Sequence, residues 1–444
     1  MRVLPPGWEW TTLGEIADLK GGLTKGKRRR DEDQLRQVPY LRVENVQRGY
    51  LNLDQVKLIE ATKAEIADLR LQVGDVLFNE GGDRDKLGRG WVWQAALPEC
   101  IHQNHVFRAR LRGPDIQPKF VSWYGNNSEG AQYFSDQGKQ TTNLASINLT
   151  KLSEFPIPVP PAREQLCIVA EIEKHFANID PSCAALGASL KSLDKLISAN
   201  IIRACLLANP GEIRLRPVGS AGDVSLGRQR APKHHNGPSM RPYLRVANVH
   251  EDRIETHDVN HMNFTDAEFE RYRLVQGDVL LNEGQSLELV GRPAIYRGGI
   301  PDCCFQNTLV RFKASPDVIP EYALYVFRAW LRAGEFRKIA RWTTTMAHLG
   351  AERFAAMPFP LRPRASQQVI VDYLDASLSS ITHLGGEIKR ASGRAARLRQ
   401  AILKRAFEGK LVLQDPKDEP ASVLLDRIRA TRAHTPSRRV PRKR

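Results

Sequence analysis

The chain has 444 residues, of which 41% are hydrophobic, and it carries a formal net charge of +16 with a pI near 9.7. This length favours two or three domains, and the charge favours a polyanionic partner, nucleic acid before a membrane surface. No apolar run approaches the roughly 18 residues of a membrane span, and the first residues lack the apolar core of a signal peptide. We therefore expect a soluble, intracellular protein.

A long internal repeat organises the sequence. The segment 39–46 (PYLRVENV) returns as 242–249 (PYLRVANV), and 74–81 (GDVLFNEG) returns as 277–284 (GDVLLNEG). Both pairs are offset by 203 residues. A period of this size is far beyond the about 20–50 residues of solenoid repeats, so it indicates two whole domains of one design. Shorter pieces recur at the same offset, starting from 88–89 (GR) and 103–104 (QN).

Short β-branched segments bounded by Gly or Pro predict buried strands in each repeat. The segment 100–111 (CIHQNHVFRARL) alternates between two faces, as a half-buried strand does, and its counterpart is 303–312. Each unit closes with a proline-rich stretch, 155–161 or 357–363, which favours an extended exit strand. We therefore expect an α+β fold with two similar domains, each made of small β-sheets with helices.

Patterns of helical period follow both proline-rich stretches. Residues at seven-residue intervals form two interleaved series that predict a long helix packed on another: Val169, Phe176, Cys183, Leu190, Ile197 and Ala204, and then Ile172, Ile179, Leu186, Leu193, Asn200 and Leu207. In the second repeat the series Val371, Leu374, Leu378 and Ile381 slips beside Gly385-Gly386 and continues as Leu384, Ile388, Ala391, Ala395, Leu398 and Ile402. Pro181 predicts a kink or a restart in the first helix.

These patterns divide the chain into five segments. We predict a first domain at 1–160, a long helix at 161–208, a second domain at 209–361, a second long helix at 362–412 and a basic tail at 413–444. Each long helix is too apolar on one side to stand alone, so the simplest partner of each is the other. Antiparallel, coiled-coil-like packing would give the chain a pseudo-two-fold axis. The arginine-rich end, 430–444, favours disorder.

A basic loop near the start provides the first candidate DNA contacts. Residues 21–28 (GGLTKGKR) have P-loop spacing but place Arg28 where Mg²⁺ binding needs Ser or Thr, and the second unit has nothing similar. We therefore reject nucleotide binding. The loop is interpreted as a phosphate-contacting segment, with a merely solvated loop as the alternative. Its candidate residues are Lys25, Lys27, Arg28, Arg29 and Arg30.

Other candidates are chosen by loop position and side-chain type. Two hydroxyl-rich turns, 140–143 and 343–346, suit hydrogen bonds to phosphates or base edges, and equally suit ordinary capping. The remaining candidate DNA-binding residues are Arg84, Lys139, Gln140, Thr141 and Thr142 in the first unit, and Arg228, Arg230, Lys233, Gln285, Ser286, Arg341, Thr343 and Thr344 in the second.

Neither metal binding nor catalysis finds support in the motifs. His102 and His105 are replaced in the second repeat by Phe305 and Thr308, which excludes a metal site common to both units. The six cysteines form no C-x-x-C pair, and we expect reduced thiols. Carboxylates that follow buried strands could act as general bases, but no second acid stands at a definable spacing. The repeated Gln-Asn pair could contact an adenine edge, although a structural role is favoured.

The motifs together resemble the specificity (S) subunit of Type I restriction–modification systems. The resemblance begins with LPPGWEW at 4–10 and LGEI at 13–16, and it continues with GDVL at 74–77 and PVPP at 158–161. Its most specific part is LRQAILKRAFEGKL at 398–411, followed by DPKDEPA at 415–421. The first long helix ends in a poor copy of this segment, so the two helices need not present equivalent docking faces.

This resemblance implies two target-recognition domains that each read one half of a split double-stranded DNA site, with the helices setting the spacing. Two methylation subunits would dock on the helices, and restriction subunits would join them in the cytoplasm of a bacterial or archaeal cell. The chain itself would be non-catalytic and bind no cofactor or metal, with S-adenosylmethionine, ATP and Mg²⁺ on the partner subunits. The alternatives are a self-contained DNA methyltransferase or nuclease with unrecognised motifs, and a structural coiled-coil adaptor.

Overall fold

The same set of sheets occurs twice in the computed structural model, which describes residues 2–26, 34–140, 145–343 and 345–434. The chain divides into unit 1, Met1–Ala184 with Ser392–Arg444, and unit 2, Ala185–Ala391. The strands of the first repeat are β1 Glu9–Thr12, β2 Ala17–Lys20, β3 Leu35–Leu41, β4 Val46–Gln47, β5 Tyr50–Leu51, β6 Lys57–Thr62, β7 Val76–Asn79, β8 Gly81–Gly82, β9 Gly90–Val92, β10 Ile101–His102, β11 Val106–Leu111, β12 Lys139–Gln140, β13 Ala145–Ser146 and β14 Pro156–Val159. Its helices are α1 Leu13–Ile16, α2 Lys63–Leu69, α3 Pro118–Asn126, α4 Ser128–Gln137 and α5 Leu149–Ser153.

A long helix, α6 Ala162–Ile202, leads into the second repeat. The strands that follow are β15 Arg214–Pro217, β16 Gly222–Leu226, β17 Met240–Leu244, β18 Val249–His250, β19 Arg253–Ile254, β20 Asn260–Asn263, β21 Val279–Asn282, β22 Gly284–Gln285, β23 Pro293–Ile295, β24 Cys304–Phe305, β25 Leu309–Ala314, β26 Arg341–Trp342, β27 Ala347–His348 and β28 Pro358–Leu361. The helices are α7 Val218–Ala221, α8 Asp266–Tyr272, α9 Pro320–Ala333, α10 Glu335–Ile339, α11 Ala351–Ala355, the long α12 Arg364–Phe407, and α13 Ala421–His434.

The sheet topology of unit 2 reproduces that of unit 1. In unit 1 an antiparallel sheet has the order β2-β11-β7-β9, and in unit 2 the corresponding order is β16-β25-β21-β23. A second sheet contains one parallel pair, β3 with β10 or β17 with β24. A third small sheet, β12-β13-β8 or β26-β27-β22, lies where the buried central strand ends. The expected α+β fold with two similar domains is confirmed.

Packing explains why two positions of the repeat, Gly88 and Gly291, are glycine. Gly88 and Gly291 have φ values of +64° and +77°, in the left-handed region that favours glycine. A Cβ atom at Gly88 would lie 2.0 Å from Cδ2 of Phe134, and one at Gly291 would lie 2.4 Å from Cδ2 of Phe336. Each glycine therefore lets the backbone pass directly over a buried aromatic ring.

Each unit contains segments of both long helices. In unit 1 the side chains of Ile168, Ile172, Phe176, Ile402, Leu403, Ala406 and Phe407 join the main core. In unit 2 the corresponding contributors are Ile201, Ala204, Cys205, Val371, Leu374, Leu378 and Ile381. The segments are antiparallel in unit 2, since Asn200 donates to Ser377 (3.1 Å) while Gly385 faces Leu193 further along. The two segments also contact each other in unit 1, where Arg399 pairs with Asp180.

The long helices differ from the sequence prediction in two respects, namely the effect of Pro181 and the residues that fill the seam. Helix α6 continues through Pro181, so the restart that this proline could impose does not occur. Leu207, Leu384 and Leu398 were predicted seam residues, but they are 65%, 50% and 52% exposed, and this prediction is wrong. Gly385 instead faces Leu193, and Arg399 covers the ring of Phe176 at 4.3 Å. A glycine and an arginine occupy seam positions that an apolar pattern cannot identify.

The segment predicted as a tail contains a helix. Ala421, Leu424, Leu425 and Ile428 follow the i, i+3, i+4, i+7 spacing of one helical face, and all four are buried in the core of unit 1. The expected disorder from 430 is therefore wrong as far as the end of α13, and residues 435–444 lie outside the described residues. Among the described residues, no helix combines the length and apolarity needed to cross a membrane.

Candidate nucleic-acid interface

A basic cleft in unit 1 is the first candidate for a DNA-binding surface. Its volume is about 600 Å³. Five cations, Lys25, Arg42, Lys57, Lys86 and Arg89, line the cleft against a single carboxylate. The remaining lining residues are Tyr40, Val43, Glu44, Gln47, Asn79 and Gln103. A concave surface with this excess of positive charge suits the phosphate backbone of nucleic acid.

Strand pairing and buried amides hold the cleft in shape. Tyr40 on β3 stands opposite Lys57 on β6, which fixes one wall. Asn79, at the end of β7, is buried and donates through Nδ2 to the carbonyl oxygens of Val43 (3.2 Å) and Val46 (2.9 Å). The loop that follows β3 is therefore tied to the central sheet.

The arginines of the cleft are oriented by neighbouring acceptors. Arg89 donates through Nη2 to a carboxylate oxygen of Asp85 (2.5 Å), and its Nη1 lies 3.4 Å from Oε1 of Gln47. Arg42 pairs with Glu44. These partners lie near the surface, where ion pairs are weak, so a phosphate can compete for both guanidinium groups.

The same framework in unit 2 carries fewer charges. The residues at the repeat positions of the cleft include Arg245 and Arg292, the counterparts of Arg42 and Arg89. Lys57 and Lys86 are replaced by Asn260, which stands opposite Tyr243, and by Leu289. The two units therefore share a backbone design but differ in the side chains that face a ligand.

The small third sheet gathers several predicted site residues of unit 1. Lys139 and Gln140 lie on β12, which pairs with β13, and β13 in turn pairs with β8. Arg84 is exposed in the short helical turn that follows β8. Beside β8, Glu80 accepts a hydrogen bond from Nδ1 of His105 at 2.6 Å.

Unit 2 builds the matching sheet with different side chains. Arg341 lies on β26 and Gln285 on β22. Glu283, the repeat counterpart of Glu80, interacts with Nδ1 of His348 on β27 at 2.9 Å. The equivalent carboxylate therefore pairs with a histidine from a different part of the sequence in each unit. Trp342, the neighbour of Arg341, is 60% exposed.

The other predicted site residues fall into three groups. Lys25 lines the basic cleft, Arg230 is exposed and donates to His235 (3.2 Å), and Ser286 and Thr343 are exposed in their loops. The Thr343 hydroxyl donates to the Met346 carbonyl at 3.0 Å, which is an ordinary turn contact. Lys27, Arg28, Arg29, Arg30, Thr141, Thr142 and Thr344 lie outside the described residues. Gln140 and Lys233 are described only in their backbone.

Arg228 does not lie on the DNA-facing surface where it was predicted. Its side chain is buried, lies over the ring of Phe264 (4.9 Å) and pairs with Glu268 at 2.8 Å. Arg228 takes the bridge position that the apolar Leu23 holds in unit 1, since each forms an isolated bridge to the repeated glutamine, Gln306 or Gln103. The pairing with Glu268 offsets the cost of burying the guanidinium, and the buried side chain is not available to DNA.

His102 is a core residue. Its side chain is buried, and Nδ1 lies 2.6 Å from the carbonyl oxygen of Val106. Burial lowers the pKa of His102 to about 4, so the ring is neutral near pH 7. Within the described part of the chain, no group of three or more His, Cys, Asp or Glu side chains could hold a metal ion.

Several functional candidates were not predicted from the sequence. Arg42 and Arg89 belong to the repeated blocks, where their neighbours indicated buried strands and turns. Their recurrence at Arg245 and Arg292 is the signal that could have identified them. The exposure of Trp342 has no such signal, because its repeat counterpart at 139 is a lysine and no motif includes it.

Comparison with known proteins identifies sequences that are similar to this chain. A family model described as a Type I restriction modification DNA specificity domain matches residues 5–181. The chain is 21% identical over 467 residues to the Type I restriction enzyme EcoKI specificity subunit of Escherichia coli K12, covering 99% of this chain and 98% of that relative. It is 24% identical over 194 residues to the putative Type I restriction enzyme MjaX specificity subunit of Methanocaldococcus jannaschii, covering 43% of this chain and 44% of that relative.

A solved structure shares the fold. It was described in work on complex assembly and conformational transition of the type I R-M system. The TM-score is 0.68 at 18% identity, and the alignment covers 92% of this chain and all of the other. The likeness therefore extends over both units.

Proposed function

Since this chain belongs to the specificity subunits of Type I restriction–modification systems, which are non-catalytic DNA-recognition subunits, we propose that each of its units recognises one half of a split DNA site. The observation that carries the proposal is the repeated framework with different exposed side chains. Two copies of one fold suit two DNA segments of the same shape. Different side chains on that fold suit two different sequences.

We propose a division of labour within each unit. The cations of the cleft, such as Arg42 and Arg89, would contact phosphates and set the position on the duplex. The third sheet would contact base edges. Glu80 and Glu283 supply carboxylate oxygens, which accept hydrogen bonds from the exocyclic amino group of cytosine. The histidine beside each carboxylate would fix its orientation.

The remaining parts of the assembly are also proposals. Two methylation subunits would dock on α6 and α12, and restriction subunits would complete the complex on cellular DNA. S-adenosylmethionine would supply the methyl group, and ATP with Mg²⁺ would serve the restriction subunits, all bound by the partners. The expectation that the long helices set the unread spacer stays a prediction.

Methylation mapping tests the recognition proposal. A host that lacks other DNA methylation would express this chain with its methylation subunit, and every methylated base in the genome would be mapped. We expect one split motif with a fixed gap, which disappears when this chain is deleted. A continuous motif, or a motif that persists without this chain, would contradict the proposal.

Matched variants test which unit recognises which half of the DNA site. The double variant Arg84→Ala/Lys139→Ala changes the third sheet of unit 1, and Arg341→Ala/Trp342→Ala changes that of unit 2. We expect each variant to relax one half of the motif and leave the other half intact. Relaxation of the same half by both variants would contradict the assignment. Methylation by the purified chain with S-adenosylmethionine alone would instead support a self-contained methyltransferase.

A further inference from the structure

The C-terminal segment of the chain covers a defined surface of unit 1. The backbone N–H of Ala421 donates to the carbonyl of Gly7 (2.9 Å), and the side-chain amide of Gln414 donates to the carbonyl of Pro6 (3.3 Å). Helix α13 then lies on this surface through Leu424 and Leu425, which are both buried. The segment therefore covers the surface formed by the residues before β1, by α1 and by the start of α6.

Ion pairs reinforce that contact. Arg427 lies 3.4 Å from the carboxylate of Asp115, and Arg429 lies 3.9 Å from that of Glu15. Arg163 at the start of α6 approaches Asp415 at 3.7 Å. Arginines of α13 therefore face two carboxylates of unit 1, whereas the segment before α13 presents carboxylates to Arg163.

Strand register identifies the equivalent surface in unit 2. Glu9 of β1 stands opposite Val159 of β14, and Arg214 of β15 stands opposite Leu361 of β28. At the helix start, Gln165 and Gln367 make the same bond, each accepting from a backbone N–H through Oε1 at 2.9 and 2.8 Å. The residues that meet the C-terminal segment in unit 1 therefore have direct counterparts in unit 2.

These counterparts line an open groove of about 550 Å³, which we call the unit 2 groove. The strand β15 is exposed along its whole length. Leu215, which takes the position of the partly buried Trp10, is 66% exposed. In the described residues of unit 2, no helix covers this face as α13 covers unit 1. The groove is lined by Gly211, Glu212, Arg214, Arg216, Asp317, Leu361, Arg362, Pro363 and Arg364.

The charge of the groove is reversed relative to unit 1. Arg214 stands where unit 1 has Glu9, and Arg216 and Arg364 stand where unit 1 has Thr11 and Ala162. Within the described part of the chain, neither Arg214 nor Arg216 forms an ion pair within 4.0 Å. The groove therefore presents free positive charge beside the apolar side chains of Leu361 and Pro363.

We propose that the unit 2 groove docks an acidic amphipathic helix contributed by a partner subunit. The apolar side of that helix would cover Leu361 and Pro363, and its carboxylates would stand beside Arg214 and Arg216. The α13 helix of a second copy is unsuited, because its arginines would meet the arginines of the groove. The proposal rests on the proposed function only in that the partner is a subunit of the same complex.

Site-specific photo-crosslinking in the assembled complex tests this docking surface. A benzophenone amino acid would replace Gly211, which lines the groove and has open space where a Cβ would stand, and the complex would be irradiated with and without DNA. We expect a cross-link to an acidic helical segment of one partner subunit, formed without DNA. The same probe at Val275, exposed in unit 2 outside the groove, should not give that product. A cross-link to DNA, a cross-link to a second copy, or no cross-link would overturn the proposal.

Charge reversal in the groove provides a second test of the proposed docking surface. Arg214→Glu/Arg216→Glu should reduce the affinity of the partner subunit by tenfold or more and abolish the cross-link. The control Arg271→Glu/Arg273→Glu makes the same change in net charge at exposed positions of unit 2 and should leave both unchanged. Equal losses in the two variants would overturn the proposal. DNA binding by the purified, unmodified chain is measured in parallel, so failure of the proposed function is recognised separately.

Discussion

Unit 1 and unit 2 share a fold and both bury apolar side chains of their long helices, but they differ in the contacts made around those helices. In unit 1 the ring of Phe176 packs edge-on against Trp123 at 5.0 Å, and Phe407 packs against Phe120 at 5.1 Å. In unit 2 the position of Trp123 is taken by Tyr325, whose hydroxyl donates to Asp375. The repeated backbone therefore accepts either an aromatic contact or a polar one at the same place.

Further polar contacts hold the long helix α6 in unit 2. Arg332 on α9 donates to Asp194 (3.1 Å) and to the hydroxyl of Ser198 (2.8 Å), both on α6. The same guanidinium donates to Glu251 at 2.7 Å, which also accepts from Arg328 at 3.2 Å. Aromatic packing is insensitive to salt, whereas ion pairs that reach the surface are screened, so the comparison predicts a difference in salt response.

The largest expected effect on stability comes from removing the aromatic contact of unit 1 or the polar contacts of unit 2. Phe176→Ala should cost about 3–5 kcal/mol of stability in unit 1 because it leaves a cavity beside Trp123. Arg332→Met should cost about 2 kcal/mol in unit 2 because charged hydrogen bonds are lost. Hydrogen–deuterium exchange of peptides from the two helix segments measures each effect locally. The loss for Phe176→Ala should be the same at low and high salt, and that for Arg332→Met should shrink at high salt.

Conservative variants serve as controls for this pair. Phe176→Leu keeps most of the apolar volume and should lose less than Phe176→Ala. Arg332→Lys keeps the charge but not the forked geometry, and should fall between the wild type and Arg332→Met. An equal salt response of Phe176→Ala and Arg332→Met would show that the two units are fastened alike.

A second difference lies inside the two cores. His102 of unit 1 is buried with a pKa lowered to about 4, and unit 2 has Phe305 at that position. A folded-state pKa below the usual value means that the unfolded chain binds a proton first. Stability is therefore fully present above about pH 6.5 and is lost as the pH falls toward 4. By linkage the loss approaches about 3 kcal/mol.

The exchange of these residues tests the acid response. His102→Phe should lower stability near pH 7.5 by about 1 kcal/mol, because the buried hydrogen bond to the Val106 carbonyl is lost. It should also remove most of the acid-dependent loss of stability in unit 1 between pH 6.5 and 4, measured by denaturant unfolding across that range. Phe305→His is the matched control and should introduce the same acid sensitivity into unit 2. An unchanged pH profile in His102→Phe would mean that other groups control the acid response.

Much of this organisation could be predicted from the sequence, because it depends on repetition and periodicity. The constant offset identified two similar domains, and the seven-residue spacing identified the long helices. The spacing failed at Leu384 and Leu398, since Gly385 and Arg399 take their places through contacts with Leu193 and Phe176. Apolar pattern gives the face of a helix, but only packing decides which neighbour fills it.

The candidate site was harder to predict, because charge alone does not distinguish a buried cation from an exposed one. Arg228 was expected at the DNA surface and is held inside unit 2 by Glu268. Arg42 lines the cleft but was not predicted, because its neighbours on β3 gave a strand signal, and Lys57 was not predicted because it lies outside the repeated motifs. Exposure depends on which strands pair, and that pairing brings together residues far apart in sequence.

The smallest expected effect concerns the difference in charge between the two clefts, and it tests the DNA surface directly. Lys57→Asn/Lys86→Leu gives unit 1 the residues of unit 2 at both positions. If both lysines contact phosphates, the slope of log K against log salt should fall by about 1.8, and DNA affinity near 0.15 M salt should fall about 30-fold.

The reverse exchange completes the test. Asn260→Lys/Leu289→Lys should steepen the salt dependence by a similar amount, because it gives unit 2 the cations of unit 1. Neither change should alter the methylated motif, since phosphate contacts carry no sequence information directly. Titrations at several salt concentrations, combined with methylation mapping, separate the two effects. A changed motif with an unchanged salt slope would mean that the cleft contacts bases, and the division of labour between cleft and third sheet would then be reversed.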